Sequence, residues 1–216
     1  MKFRRKSAEA DPEVEVVEST DAPVEAAPAR RGGPWDVDEL PDGDDLARVD
    51  LGALLIVPAE GVEVRIQVDE QTDAVQSVLL AGEDGAVELR VFAAPRHGDL
   101  WAEVRPRIAA DYAQRGGTAD EREGRFGPEL VCQLTVKMPD GRTGTQPSRI
   151  VGINGPRWML RATYLGRPAL EPDTSGPWDD LVEHVVVRRG THPMPAGAEL
   201  ALTFPRDGQV VERPTT

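Results

Sequence analysis

Residues 149–164 decide the fold, and they read RIVGINGPRWMLRATY. In the second half of this stretch the even-numbered residues from Trp158 to Tyr164 are all apolar. That spacing is the two-residue period of a half-buried strand. Asn154-Gly155 lies between the halves and is the dipeptide best suited to a type I′ hairpin turn. The stretch therefore predicts a β-hairpin with one apolar face.

The same alternation occurs elsewhere in the chain and predicts further strands. These strands are expected at residues 62–68, 74–80, 86–93, 130–138 and 200–204. Because strand patterns outnumber helical ones and tight turns need antiparallel neighbours, the predicted fold class is α+β. We expect a predominantly antiparallel sheet covered by two helices.

Apolar residues at helical spacing predict the two helices around 100–115 and 176–185. Asp99 is available to cap the first helix and Ser175 to cap the second. Pro106 lies inside the first pattern, so that helix is either kinked or begins near Arg105. We expect the helices and the sheet to share one core, which joins Trp158, Leu160, Leu134, Val104, Ile108, Leu181 and Val182.

The 216-residue chain is acidic, with 25 Lys and Arg against 38 Asp and Glu and a formal net charge of −13. Residues 7–50 hold 14 of the acidic residues against 3 basic ones, and Trp35 is their one aromatic residue. We therefore predict a disordered acidic arm at 1–48, a globular domain at 49–205 and a disordered tail at 206–216. Trp35, within the arm, either covers local core at the domain edge or docks in a groove.

Several function classes lose their usual support. The single cysteine, Cys132, excludes an intrachain disulfide, and its place in an apolar alternation predicts a buried, unreactive thiol. The three histidines lie far apart, and no phosphate loop, dinucleotide fingerprint or nucleophile elbow is present. Asp179 and Asp180 are expected to be first-turn residues of a helix rather than an acid and base pair. We expect no metal and no cofactor, and an enzyme is disfavoured.

Charge and hydropathy also bear on partners and location. The acidic balance makes nucleic acid an unfavourable partner. The longest aliphatic run, residues 51–57, is far shorter than a membrane span, and no secretory signal follows the first basic residues. The sequence thus predicts a cytoplasmic protein without a membrane partner.

Three arginines stand out against this acidity, because Arg149, Arg157 and Arg161 all lie on the predicted hairpin. We predict that they share a sheet face and bind an acidic protein segment or a small anion through planar bidentate contacts. The chain's own acidic arm is a further candidate partner. The alternative is a solvated face on which the arginines pair with Glu129 and its neighbours.

Three segments in order carry a resemblance to a known family, namely GRFGPEL at 124–130, IVGINGPRWMLR at 150–161 and VVVRRG at 185–190. They resemble an uncharacterised actinobacterial family over about residues 50–205. This resemblance implies a domain of unknown function and brings no catalytic residues. The order of strands, helix, antiparallel strands and helix is also similar to the Mog1/PsbP-like sandwich, a fold of binding and assembly factors more than of enzymes.

Two function classes follow from these observations. The favoured one is a non-enzymatic binding or assembly module, which arginines on a shallow sheet face would support. The other is an enzyme with a nonstandard site assembled from distant residues. A deep pocket that gathers His97 or His184 with carboxylates would indicate the enzyme.

Overall fold

The computed structural model of the chain describes residues 32–41, 43–137 and 141–205. In chain order the strands are β1 (Trp35–Asp36), β2 (Val49–Asp50), β3 (Leu54–Ile56), β4 (Glu63–Val68), β5 (Val75–Ala81), β6 (Gly85–Ala93), β7 (Thr118–Gly124), β8 (Gly127–Lys137), β9 (Thr143–Gly155), β10 (Trp158–Gly166) and β11 (Val186–Val187). The helices are α1 (Leu100–Gln114), α2 (Arg167–Leu170) and α3 (Gly176–Glu183), with short 3-10 helices at Val37–Glu39 and Pro172–Thr174.

Two sheets organise these elements. A seven-stranded sheet has the order β4-β5-β6-β10-β9-β8-β7, and all its neighbouring strands are antiparallel. A four-stranded sheet has the order β1-β11-β3-β2, in which β1 runs parallel to β11. The predicted α+β fold with a predominantly antiparallel sheet is confirmed. No helix in the described ranges is long and apolar enough to cross a membrane.

The large sheet separates two apolar clusters. On one side, here called the core face, Trp158, Leu160 and Tyr164 of β10 pack with residues of α3 and the small sheet. On the other side, the helix face, Leu130, Cys132 and Ile150 pack against α1. The expectation of one shared core was wrong, because Val104 and Ile108 of α1 contact the helix face while Val182 of α3 contacts the core face. Successive side chains of each strand point to opposite faces of the sheet, so the same strands contribute apolar residues to both clusters.

Helix α1 begins at Leu100, and the Asp99 carboxylate caps it by accepting the N–H of Ala102 at 2.9 Å. The helix continues through Pro106, so the alternative start near Arg105 was wrong. Close packing of α1 on the sheet depends on Gly152, because a Cβ built there would lie 2.1 Å from the Trp101 ring. The Trp101 indole N–H donates to the Pro128 carbonyl oxygen at 2.6 Å, which ties α1 to β8.

The hairpin turn differs from the prediction by two residues. Gly155 pairs with Trp158, so the reversal is made by Pro156 and Arg157 rather than by Asn154-Gly155. Proline at the first turn position with a positive φ at the second is the pattern of a type II turn. Asn154 stays in β9, where its side-chain oxygen accepts the backbone N–H of Trp101 at 3.3 Å.

The compact unit begins at Gly32 rather than at residue 49. Half-buried Trp35 donates its backbone N–H to the Val185 carbonyl oxygen at 2.9 Å, as a residue at the domain edge. The buried Asp36 carboxylate accepts the indole N–H of Trp158 at 2.7 Å. Predictions for the rest of the arm and for the tail concern residues 1–31 and 206–216, which lie outside the described residues.

Other differences concern strands with little alternation. Strand β7 was not predicted, and β9 begins at Thr143, six residues before the predicted hairpin. The predicted last strand at 200–204 forms isolated bridges, in which Leu202 pairs with Gly52 and Val75. The second helix was predicted correctly in place and ends at Glu183.

Replacing Trp158 by alanine tests the core face. Trp158 is fully buried, so Trp158→Ala should lower the free energy of unfolding by ~3 to 5 kcal/mol. Trp158→Phe should cost less, because it removes mainly the hydrogen bond to Asp36. Urea denaturation followed by fluorescence or circular dichroism measures both. A loss under ~1 kcal/mol for Trp158→Ala would contradict the assignment.

Candidate functional site

The structure places the three predicted arginines in three different surroundings. Arg149 pairs with Tyr164 across β9 and β10, so its side chain lies on the core face. Arg161 pairs with Gly152 and with Arg90, on the helix face. Arg157 is in the hairpin turn at the end of the sheet. The predicted shared face was therefore wrong, because antiparallel register sends Arg149 and Arg161 to opposite sides of the sheet.

Arg149 is the centre of a buried ion network. Its Nη1 donates to Glu129 Oε2 at 3.3 Å, and its Nη2 donates to Asp179 Oδ1 at 2.6 Å. The guanidinium carbon lies 3.8 Å from the centroid of the Tyr164 ring. Arg149 is only 1% exposed and Glu129 is 0% exposed, so this network is screened from solvent. The paired carboxylates offset the cost of burying the guanidinium, because an unpaired buried charge is strongly destabilising.

Neighbouring residues complete this network. Arg122 Nε lies 3.0 Å from Glu129 Oε1, and the Ser175 hydroxyl lies 3.0 Å from Asp179 Oδ2. Gly124 leaves room for the Glu129 carboxylate, since a Cβ there would come within 2.2 Å of it. Ser175 thus contacts Asp179 and makes no side-chain cap to α3, so its predicted capping role was wrong.

Burial changes the pKa values of two residues in this network, Glu129 and Tyr164. Burial raises the pKa of Glu129, and the charges of Arg149 and Arg122 oppose that shift. Burial also raises the pKa of Tyr164 well above its ordinary value, so this phenol stays protonated near neutral pH. The network joins β8, β9 and α3. The alternative in which Arg149 pairs with Glu129 on a solvated face was correct about the partner and wrong about the solvent.

Arg161 lines an open groove between α1 and the sheet, here called the Arg161 groove. Its volume is about 390 Å³. The helix contributes Arg107, Ile108 and Tyr112, and the sheet contributes Ile150, Arg161 and Thr163. Half-buried Arg161 has its guanidinium carbon 5.3 Å from the centroid of the Phe92 ring, which supports its side chain.

Arg161 lacks a compensating carboxylate. Directly opposite it on β6 is Arg90, and Arg90 pairs with Glu199 instead. Within the described ranges, Arg161 and Arg107 have no carboxylate at ion-pair distance, whereas Arg105, Arg122 and Arg125 do. Burial lowers the pKa of Arg161, and the charge of Arg90 lowers it further. Like charges on directly opposed strand residues are destabilising, so this position retains an unfavourable contact.

Two acidic residues also line the Arg161 groove. Asp111 is neutralised by Arg115 at 3.3 Å. Glu88 pairs across the strands with Thr163, and its charge favours the charged form of Arg161. The Tyr112 hydroxyl lies 2.9 Å from the Ser148 hydroxyl, and Tyr112 adds a polar group to the groove wall. The groove is therefore polar on several sides, with Arg161 and Arg107 as its unpaired cations.

A second cleft is lined by charged residues that are mainly carboxylates. It measures about 380 Å³ and lies beside Trp178 and Leu181 of α3. Glu60, Glu83 and Asp84 line it against a single arginine, Arg167, which pairs with Glu171 at 3.1 Å. Neither cleft is lined by Arg149, Glu129 or Tyr164, whereas Ser175, which contacts Asp179 of the network, lines this second cleft.

The residues that would indicate metal or nucleophile chemistry are apart from both clefts. His97, His184 and His192 are exposed and line neither. Among the residues that the structure describes, no group of three or more His, Cys, Asp or Glu side chains could hold a metal ion. Cys132 is fully buried, and burial raises its pKa to about 11, so the predicted core cysteine is confirmed.

Together these features define an α+β domain with a structural ion network on one sheet face and, on the other, an open groove lined by two arginines and two carboxylates. The chain matches the family model described as protein of unknown function (DUF3710) over residues 33–210, which is more than half of its length. It belongs to the DUF3710 family. No match was found among curated proteins or among solved structures. The actinobacterial origin and the likeness to the Mog1/PsbP-like sandwich stay predictions.

Removing Arg149 tests the structural role of the ion network. Arg149→Ala leaves two carboxylates buried without their shared cation, so the free energy of unfolding should fall by ~3 to 5 kcal/mol. The matched control is Arg65→Ala, because Arg65 pairs with Glu63 at the surface and such pairs contribute ~1 kcal/mol or less. Equal losses in urea denaturation for the two variants would refute the role.

Proposed function

We propose that this protein is a non-enzymatic binding module that recognises an acidic protein segment through the Arg161 groove. One observation carries the proposal. Half-buried Arg161 faces Arg90 across the strands and has no carboxylate at ion-pair distance among the described residues. Part of the groove is thus short of negative charge, in a chain whose net charge is −13.

A ligand carboxylate would supply the missing charge. It would accept hydrogen bonds from the planar guanidinium of Arg161, and Arg107 lines the same groove from α1. Partial burial strengthens such a contact relative to one in open solvent. In the folded protein Arg161 lies opposite Arg90, and a bound anion would reduce the repulsion between these two charges.

The shape of the groove favours a segment of chain over an enclosed small molecule. Its walls are one helix and one sheet face, so it is open along its length, and its volume of about 390 Å³ suits a few side chains. Ile108 and Ile150 give apolar contact beside the two arginines. A small anion would use the same guanidinium groups and fewer of these contacts.

The same chain contains one segment of suitable charge. Residues 7–31 hold seven acidic and two basic residues. We include this segment among the acidic ligands of the groove, where it would compete with an external partner. The proposal keeps the cytoplasmic location predicted from the sequence, with no metal, cofactor, nucleic acid or membrane as partner. No second function is proposed, because the exposed histidines line neither cleft.

Two substitutions in the Arg161 groove test this function, one that removes a positive charge and one that removes a negative charge. Arg161→Gln should weaken binding of fluorescein-labelled hexaglutamate by about tenfold, because it removes a charge-assisted contact. Glu88→Gln should strengthen binding by about threefold, because it removes a like charge from the groove wall. Fluorescence anisotropy of the full chain at low and physiological salt gives the affinities.

The control is Arg167→Gln, which removes the same charge from the other cleft. It should leave hexaglutamate binding unchanged, and Arg161→Gln should not lower the melting temperature, because it removes the repulsion with Arg90. If Arg167→Gln weakens binding as much as Arg161→Gln does, hexaglutamate binding depends on the net charge of the protein. The assignment of the binding site to the Arg161 groove would then be wrong. Unchanged binding by both variants would also refute it.

A further inference from the structure

Three charged side chains lie in a row across the helix face of the large sheet, beside the Arg161 groove. Arg161 of β10 lies directly opposite Arg90 of β6. Glu199 lies on the other side of β6, because it forms an isolated antiparallel bridge with Phe92, which shares a sheet face with Arg90. An ion pair between Arg90 Nη2 and a carboxylate oxygen of Glu199 links two members of this row. The row is therefore Glu199, Arg90 and Arg161.

The charges of this row act on one another. The Cβ atoms of directly opposite strand residues lie about 4.5–5.5 Å apart, so Arg90 and Arg161 begin as close neighbours. Burial and the charge of Arg90 lower the pKa of Arg161, and the charges of Glu88 and Glu199 oppose that shift. Arg90 and Glu199 thus influence Arg161 although neither of them lines the groove.

The ion pair with Glu199 uses only part of the Arg90 guanidinium. Nη2 binds the carboxylate, whereas the buried Nε has no hydrogen-bond partner in the described part of the chain. The side chain of Arg90 is 26% exposed and that of Glu199 is 46% exposed, so water and dissolved ions compete with this pair. Glu199 is the one carboxylate at ion-pair distance from Arg90 among the described residues. Loss of its charge would leave two arginines side by side without a carboxylate on either.

We propose that Glu199 is a specificity-determining residue, which keeps Arg90 engaged so that the Arg161 groove prefers a carboxylate to a phosphate monoester. The inference rests on the proposed function of this groove. A side-chain carboxylate carries one negative charge, whereas a phosphate monoester carries about −1.5 to −2 at pH 7. While Glu199 holds Arg90, Arg161 is the one guanidinium of the cross-strand pair that is left for a ligand. A single carboxylate matches that supply.

A released Arg90 would change the preference of the groove. It lies opposite Arg161, so a phosphate bound at Arg161 would be within reach of both guanidinium groups. Guanidinium N–H groups match the oxygens of a phosphate, and the unused Nε of Arg90 adds a donor. The second guanidinium would therefore strengthen phosphate binding more than carboxylate binding.

The substitution Glu199→Gln tests this role, because it releases Arg90 and keeps the backbone bridge to Phe92. Fluorescence anisotropy of the full chain compares two fluorescein-labelled peptides, hexaglutamate and the same peptide with its third glutamate replaced by phosphoserine. Glu199→Gln should tighten hexaglutamate binding by about threefold and phosphopeptide binding by about tenfold or more. The ratio of the two affinities should thus shift at least about threefold toward the phosphopeptide.

Two further variants separate this role from a change in net charge. Glu63→Gln is the matched control, because it also removes a glutamate from an arginine ion pair, on edge strand β4. It should leave the affinity ratio unchanged. The double variant Glu199→Gln with Arg90→Gln should return the ratio to that of the wild type, because the shift needs the Arg90 guanidinium.

The outcomes distinguish this inference from the proposed function. An unchanged ratio in Glu199→Gln, an equal shift in Glu63→Gln, or a shift that persists in the double variant would each overturn the role of Glu199. If Arg161→Gln weakens hexaglutamate binding at the same time, the proposed function stands and only the selectivity is refuted. If Arg161→Gln leaves hexaglutamate binding unchanged, the groove itself is wrongly assigned and both proposals fail.

Discussion

A buried guanidinium needs carboxylate partners beside it, because its charge cannot be solvated by water. In this protein the buried guanidinium is that of Arg149. Its partners come from two other elements, Glu129 from β8 and Asp179 from α3. The pairing of β8 with β9 and the position of α3 over the core face are therefore coupled through one side chain. The small sheet is connected to α3 along the chain, because β11 begins shortly after α3 ends and pairs with both β1 and β3.

The same physical rule divides the arginines by role. Where a carboxylate from the chain lies within reach, as at Arg149, the arginine holds elements together. At Arg161 the fold supplies no such partner among the described residues and places Arg90 on the facing strand. In a chain with an excess of acidic residues, this arrangement supports our proposal that Arg161 contacts a ligand.

Much of the fold could be predicted because alternation is a local signal. The fold class, α1 with its Asp99 cap and the place of α3 all follow from short-range patterns. Strand β7 gave no such signal, because it is an edge strand rich in charged residues. The contribution of Asp36 was missed for another reason, since its carboxylate accepts a hydrogen bond from Trp158, more than a hundred positions away.

The site could be predicted in part. Arg161 was named from the sequence, whereas Arg90 and Arg107 reach its neighbourhood only through strand pairing and helix packing. The error over Arg149 was avoidable. Any two-residue turn in an antiparallel hairpin pairs odd-numbered with even-numbered residues, so Arg149 had to share the face of the even-numbered apolar residues of β10. That parity is the signal that would have placed Arg149 on the core face.

The central claim is that arginines without internal carboxylates bind anions and that Arg149 does not. Side-chain Nε–Hε resonances of the arginines, followed by NMR in the full chain during titration with hexaglutamate, test it most directly. The account predicts that the resonances of Arg161 and Arg107 shift together to saturation while that of Arg149 stays in place. An Arg149 resonance that shifts with the same saturation curve, or an Arg161 resonance that does not move, would contradict it.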